Sequence, residues 1–230
     1  MAIKNDLYDY GTFIYQDDRY FKFSLDSILL AEFVRTKSDQ KVLDLCCGNA
    51  PIPLILKIKN PLLKIDAIEI QREIYTLAKR SIEESGFTDI NVYNCDAKNY
   101  INNEKYDIVT CNPPYFAVNS TSLLNDNIVK RNARHETLIT LEDIISTTKK
   151  NLKENGKFYI VHRTSRFLDV INKLQKYKLG IRKICFVYTG NSNNAEFFLI
   201  ESELNKKDDP KVSSINIRGR KTYKNIFEEE

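Results

Sequence analysis

Between residues 41 and 203, short apolar runs alternate with stretches in which apolar residues recur at helical spacing. The first unit is a strand pattern at 41–46 followed by Pro51 and Pro53, which suit the first turn of a helix. The same order of strand, loop and helix repeats further along the chain. This alternation predicts an α/β fold with a mainly parallel sheet and helices on both of its faces.

The predicted sheet has seven strands. They fall at 41–46, 64–70, 90–94, 106–111, 157–162, 182–188 and 195–203, and further helices are predicted at 71–85, 141–154 and 165–177. Only residues 189–194 separate the last two strands, which is too short for a crossover helix, so these strands must pair antiparallel. We therefore expect a seven-stranded, mainly parallel sheet whose last strand is antiparallel.

Two segments lie outside this repeating core. Residues 8–23 are rich in aromatic side chains and precede a helix pattern at 24–34, for which Ser24 is a suitable N-cap. After Asp209 the chain has no acidic residue before Glu228. The basic residues of this stretch are Lys211, Arg218, Arg220, Lys221 and Lys224. We expect an N-terminal arm and helix at 1–40, a core domain at 41–205 and a basic C-terminal tail at 206–230.

The composition describes a globular chain with reduced thiols. Of the 230 residues, 42% are apolar and 29% are charged, and no apolar run is long enough to cross a membrane. The N-terminus lacks an apolar signal region and the cysteines lack a framework spacing, so we expect a cytoplasmic protein, which we take to be a monomer. Cys46 and Cys47 are adjacent, unlike usual metal ligands, so we predict no metal site.

The net charge of +4 permits a polyanionic partner without requiring one.

Polar residues follow the predicted strands at the edge where open parallel sheets bind ligands. Asp44 and Gly48 belong to the loop of the first strand, where a backbone can approach a ligand closely. Glu69 ends the second strand, at about the spacing where nucleoside-binding folds place an acid for ribose hydroxyls. Asp96 follows the third strand and can accept a hydrogen bond from an adenine amine. Each acid alone is more often a helix cap or a turn residue, but their order favours a bound nucleoside.

The fourth strand stops at Asn112-Pro113-Pro114-Tyr115-Phe116. The two prolines end the strand and restrict the backbone, so Asn112 and Tyr115 keep a preset relation. The Asn112 amide and the Pro113 carbonyl offer hydrogen-bond acceptors beside an aromatic stacking face. These groups suit a flat substrate that carries an amine on an aromatic ring.

The core from residue 41 to about 162 resembles the Rossmann-like S-adenosylmethionine-dependent methyltransferases, and Asn-Pro-Pro-Tyr marks their amino-group branch. The resemblance implies that this cofactor is bound by Asp26, Asp44, Cys46, Gly48, Glu69, Asp96 and Asn112. It also implies that the target nitrogen is held by the catalytic residues Asn112, Pro113, Pro114 and Tyr115. Cys46 and Ala50 stand at positions where the family prefers glycine.

A closer resemblance spans almost the whole chain. The stretches 21–30, 112–116, 133–136 and 161–163 are similar to those of the bacterial valine-tRNA adenine-N6 methyltransferases. That family modifies the base just 3′ of the anticodon, so the resemblance implies a tRNA anticodon loop as partner. The loop at 117–136 and the basic tail are expected to contact this RNA. The substrate-binding residues are then Tyr115, Phe116, Lys130, Arg131, Arg134, His135, Arg218, Arg220, Lys221 and Lys224.

Other substrates and one non-catalytic function stay open. The same tetrapeptide serves enzymes that methylate protein glutamine, adenine N6 in DNA or guanine N2 in ribosomal RNA. The first would usually bring a helical N-terminal domain and the second a larger target-recognition domain, for which the chain has little length. A non-catalytic RNA-binding protein on the same fold is the remaining alternative, because Cys46 and Ala50 replace glycines of the cofactor loop.

Overall fold

One large sheet forms the centre of the fold in the computed structural model, which describes residues 2–7, 10–20, 24–114, 139–190 and 193–228. Helices lie on both of its faces, so the predicted α/β fold is confirmed. Several predicted site residues lie outside the described residues. They are Tyr115, Phe116, Lys130, Arg131, Arg134 and His135.

The strands form two sheets. A hairpin that the sequence patterns did not predict consists of β1 (Ala2–Asp6) and β2 (Phe13–Asp17). The described strands of the large sheet are β3 (Lys41–Leu45), β4 (Lys64–Ile68), β5 (Ile90–Tyr93), β6 (Tyr106–Cys111), β7 (Leu152–Arg163), β8 (Leu179–Tyr188), β9 (Phe197–Leu204) and β10 (Lys211–Asn216). Their order is β10-β8-β9-β7-β6-β3-β4-β5. β9 is antiparallel to both neighbours and the other pairs are parallel, which confirms the antiparallel last strand of the predicted core.

β10 is an eighth strand that the prediction of seven lacked. It pairs in parallel with β8 at one edge of the sheet. Only Ile215 of its six residues is buried, so an edge strand of this kind shows no apolar alternation in the sequence. Part of the segment 206–230 therefore belongs to the sheet.

The described α-helices cover the sheet in two layers. They are α1 (Leu25–Phe33), α2 (Pro51–Lys59), α3 (Arg72–Glu84), α4 (Leu141–Asn151) and α5 (Phe167–Lys176). Ser24 is the N-cap residue of α1 and Pro51 begins α2, as predicted. None of these helices is long and apolar enough to cross a membrane.

Alternate residues of each central strand point to opposite faces of the sheet. Val42 and Ile108 join the apolar core beneath α1, α2 and α3, whereas Leu43 and Val109 join the core beneath α4 and α5. All four side chains are completely buried. The two cores hold the central strands rigidly, and with them the loops at their carboxyl ends.

Candidate active site

The carboxyl ends of β3, β4, β5 and β6 bring together the polar residues that the sequence singled out. β3 pairs with β4 on one side and with β6 on the other, and β5 lies beside β4. Asp44, Glu69, Asp96 and Asn112 therefore lie along one edge of the sheet. Neighbouring strands are about 4.8 Å apart, so these four strand ends span roughly 15 Å.

Asp44 is completely buried in the central strand. Its Oδ1 accepts a hydrogen bond of 2.6 Å from the hydroxyl of Thr110, whereas Oδ2 has no hydrogen-bond partner among the described residues. Burial raises the pKa of Asp44 to about 7; the Thr110 hydrogen bond opposes this shift and the Glu69 carboxylate adds to it. A buried polar atom without a partner is unfavourable, so Oδ2 is suited to accept a hydrogen bond from a ligand.

Glu69 connects the loops that follow β3 and β4. Its Oε2 accepts a hydrogen bond of 3.0 Å from the Gly48 backbone N–H, and its Oε1 accepts one of 2.8 Å from that of Gln71. Burial raises the pKa of Glu69, and these backbone hydrogen bonds oppose the shift. Carboxylate oxygens can each accept more than one hydrogen bond, so the side chain retains acceptor capacity for hydroxyl groups.

The loop after β3 turns through three left-handed residues. Cys46, Gly48 and Ala50 have φ angles of 58°, 58° and 70°. A residue with a Cβ atom adopts this conformation at a cost of about 1–2 kcal/mol, which explains why glycine suits these positions. Asn49 donates a hydrogen bond of 3.1 Å from Nδ2 to the Tyr15 carbonyl and so ties the loop to β2. The loop keeps this shape with small side chains at both replaced positions.

Asp96 lies after β5, at the same edge as Glu69. Its Oδ1 accepts a hydrogen bond of 2.9 Å from the Lys98 backbone N–H and caps the short 3₁₀ turn Ala97–Asn99. The side chain is half-buried. The helix-cap role is therefore present, and adenine binding by the same carboxylate stays a prediction.

Asn112 is held by the first turn of α1. Its Nδ2 donates hydrogen bonds of 2.8 Å to Ser27 Oγ and 3.3 Å to Asp26 Oδ1. Asp26 and Ser27 are 6% and 5% exposed, so both contacts are shielded from water. Ser27 was missed among the predicted site residues, although it follows Asp26 directly in the stretch 21–30.

His162 is the buried residue next to the end of β7, beside the strand that carries Asn112. Burial and the positive charge of Arg166 lower its pKa to about 4. His162 is therefore neutral near pH 7 and adds no positive charge to this edge.

The predicted tail residues do not lie beside the acids. Arg218, Arg220, Lys221 and Lys224 are exposed and follow the carboxyl end of β10. β10 runs in the same direction as β6, so its carboxyl end lies at the same edge of the sheet. Four strand spacings separate the two ends, which is about 19 Å.

The fold is similar to that of solved structures described as methyltransferases. A predicted O-methyltransferase from Agrobacterium tumefaciens has a TM-score of 0.69 and 16% identity, over 89% of this chain and 94% of that chain. A SAM-dependent O-methyltransferase from Thermotoga maritima has a TM-score of 0.57 and 14% identity, over 82% of this chain and 68% of that chain. The fold is therefore that of the Rossmann-like S-adenosylmethionine-dependent methyltransferases.

A family model described as the methyltransferase small domain matches residues 21–181. Because this match covers more than half of the chain, the chain belongs to the methyltransferase small domain family.

Two curated proteins with similar sequences have the same name. A protein of Dyadobacter fermentans is 28% identical over 158 residues, which are 67% of this chain and 65% of the relative. A protein of Pseudoalteromonas translucida is 28% identical over 166 residues, which are 72% of this chain and 70% of the relative. Both are named tRNA1(Val) (adenine(37)-N6)-methyltransferase. The chain thus spans slightly less than two thirds of the Dyadobacter protein's length in this match.

Proposed function

We propose that this protein transfers a methyl group from S-adenosylmethionine to N6 of an adenine in tRNA, at the base 3′ of the anticodon in valine tRNA. The observation that carries the proposal is the placement of Asn112 at the end of β6, one strand away from the buried Asp44. The Asn112 amide is held there by the first turn of α1. The names of the curated relatives support tRNA adenine over the other amines.

The cofactor site is proposed at the loops after β3, β4 and β5. The unpaired Oδ2 of Asp44 supports this placement, because a buried carboxylate oxygen requires a donor. Asp44 would accept from the polar end of the cofactor, Glu69 from its ribose hydroxyls and Asp96 from its adenine. The remaining proposed contacts come from Asp26, Cys46, Gly48 and Asn112. When bound, the cofactor supplies an electrophilic methyl group on a sulfonium.

Asn112 and Pro113 would activate the target nitrogen. The lone pair of an exocyclic adenine amine is delocalised into the ring, so the amine is a poor nucleophile. Hydrogen bonds from the amine to Asn112 Oδ1 and to the Pro113 carbonyl favour a pyramidal nitrogen with a localised lone pair. Tyr115 or Phe116 would stack on the base and contribute about 1–3 kcal/mol. The proton can leave after methyl transfer, so the proposal requires neither a strong base nor a metal.

An anticodon loop suits this site. Its adenine is already largely unpaired, so extruding it takes less free energy than extruding a base from a duplex. The RNA phosphates would be contacted by two basic segments of the chain. The proposed contacts are Lys130, Arg131, Arg134 and His135 in the loop, and Arg218, Arg220, Lys221 and Lys224 in the tail. We place the activity in the cytoplasm, with 1–40 as supporting arm and 41–205 as catalytic domain. The segment 206–230 adds β10 to the sheet and carries the basic residues proposed to bind RNA.

Asn112→Ala tests the proposed function. The variant loses the acceptor for the amine, so we expect at least about 100-fold slower methyl transfer. Its cofactor affinity should fall much less, because the six other proposed cofactor contacts remain. The assay combines labelled S-adenosylmethionine with tRNA lacking the modification, followed by mapping of the methylated nucleoside. Calorimetry measures cofactor binding.

Asn91→Ala is the matched control, because Asn91 is an exposed residue of the edge strand β5. It should keep full activity. A label found on another nucleoside, or retained activity of Asn112→Ala, would contradict the proposal. A protein that binds no cofactor would support the non-catalytic alternative.

A further inference from the structure

The first turn of α1 contacts Asn112 across 85 residues of sequence. We infer that Ser27 is a positioning residue for methyl transfer, and that its hydroxyl fixes the position of the Asn112 amide from which Oδ1 meets the substrate amine. The inference rests on the proposed function and adds a residue that the sequence patterns did not assign.

Of the two contacts between Asn112 and α1, the distances favour the one to Ser27. The bond from Asn112 Nδ2 to Ser27 Oγ is 2.8 Å long, whereas the contact to Asp26 Oδ1 is 3.3 Å. Hydrogen bonds from N–H to oxygen are most common near 2.9–3.0 Å, so the longer contact is the weaker one. Water cannot replace the Ser27 hydroxyl easily, because that side chain is 5% exposed.

Ser27 is itself held in place by the helix start. Its backbone N–H donates hydrogen bonds of 2.9 Å to Asp26 Oδ1 and 3.1 Å to the Ser24 carbonyl. The Ser24 hydroxyl donates to the same Asp26 oxygen. The Ser27 hydroxyl that contacts Asn112 therefore belongs to a helical turn whose backbone and side chains are held by three hydrogen bonds.

Asp26 and Ser27 have different effects on the amide. The terminal torsion of an asparagine has two broad orientations, which exchange the positions of its oxygen and nitrogen. A carboxylate only accepts hydrogen bonds, so Asp26 selects the orientation in which the amide nitrogen faces α1. Ser27 then fixes the distance. If the Asn112 amide were turned by 180°, its Nδ2 would face the substrate amine. Both groups donate hydrogen bonds, so no hydrogen bond could form between them.

Ser27→Ala tests this inference. The variant should reduce kcat about tenfold or more, with the KM for tRNA and the cofactor affinity changed less than about twofold. A role limited to packing would instead lower the thermal midpoint and leave kcat of the folded protein unchanged. Ser27→Thr keeps the hydroxyl and should recover most of kcat. The double variant Ser27→Ala/Asn112→Ala should be no slower than Asn112→Ala alone.

Ser202→Ala is the matched control, because Ser202 is a completely buried serine of β9 whose hydroxyl donates to the Phe158 carbonyl. It should keep kcat. Full kcat in folded Ser27→Ala, with active wild type, would overturn the inference.

An activity-independent readout separates this inference from the proposed function. The side-chain amide protons of Asn112 can be assigned in nitrogen-15 spectra as the pair missing from Asn112→Ala. Loss of the Ser27 acceptor should shift this pair and speed its exchange with water, whether or not tRNA is the substrate. An unchanged pair in Ser27→Ala would overturn the inference. Inactive wild type with a shifted pair would reject the proposed substrate alone.

Discussion

Asp44 is completely buried near the carboxyl end of β3, and this burial controls the protonation of its carboxyl group. Burial raises its pKa from 3.8 to about 7. Because the folded state holds the proton more tightly than the unfolded chain, the contribution of Asp44 to stability is fully present below pH 3.8. That contribution is lost as the pH rises through about 7. Near pH 7 the unpaired Oδ2 therefore lowers the stability of the ligand-free protein, and a ligand that donates a hydrogen bond to it would remove this cost.

Asp44→Asn removes this titration. We expect the free energy of unfolding of cofactor-free wild type, measured relative to the variant, to fall between about pH 4 and 7 by at most about 4 kcal/mol. Urea unfolding of both proteins at several pH values provides the measurement. Any change in stability that the asparagine amide causes independently of pH does not affect the test. The test uses only how the difference in free energy of unfolding between the two proteins changes with pH. A difference that is constant over this range would show that Asp44 does not titrate as described.

α1 connects parts of the chain that are distant in sequence. Eight of its nine residues are buried, so it is packed on nearly every side. The completely buried Glu32 accepts hydrogen bonds from the Tyr10 hydroxyl, from Lys59 Nζ at 2.8 Å and from the Asn225 backbone N–H at 3.0 Å. One helix therefore holds Asn112 near its first turn and the C-terminal segment near its last.

Glu32→Gln should destabilise the protein by about 3 kcal/mol, because it leaves the largely buried Lys59 ammonium without a charged partner. Equilibrium unfolding in urea measures the loss. Glu32→Gln/Lys59→Met should lose less than the two single variants together, since neither charge is then left alone. Glu104→Gln is the control, because the exposed Glu104 pairs with Lys41 and should contribute little. Equal losses at Glu32 and Glu104 would refute the role of the buried pair.

The elements that the sequence revealed are those that bury apolar residues in a regular order. β3 and β6 are such strands, and their predicted bounds differ from the observed ones by at most one residue. β10 and β1 were missed because nearly all of their residues are exposed. β2 was missed because its buried run includes the polar residues Gln16 and Asp17. At the site, the two prolines that follow Asn112 allowed its role to be predicted from the sequence. The contact of Ser27 could not be predicted, because it forms only when α1 packs against the end of β6.

The direction of the strands determines where the tail emerges. β10 is parallel to β8, so residue 217 leaves the sheet at the same edge as Asn112. Further along, Ile226 and Phe227 are 5% and 7% exposed and pack into the core that contains α1. The basic residues between these two anchor points are thus displayed on a segment that is attached at both ends. The segment starts at the edge of Asn112 and ends near the last turn of α1, where the Asn225 backbone N–H donates to Glu32. Cations on a segment that is attached at both ends lose less conformational entropy when they meet phosphates than cations on a free tail.

Replacing Arg220, Lys221 and Lys224 by Ala should therefore weaken tRNA binding and make it less sensitive to salt. Each lost phosphate contact lowers the slope of log affinity against log salt by about 0.7–0.9, so three contacts correspond to a change of about 2–3. Titrations of unmodified tRNA at several salt concentrations measure the slope, and cofactor affinity should not change. The control replaces Lys37, Lys64 and Lys105, exposed lysines at the amino-terminal edge of the sheet, so that the change in net charge is the same. If both triple variants lower the slope equally, the tail attracts RNA only through net charge; if neither does, tRNA is bound elsewhere.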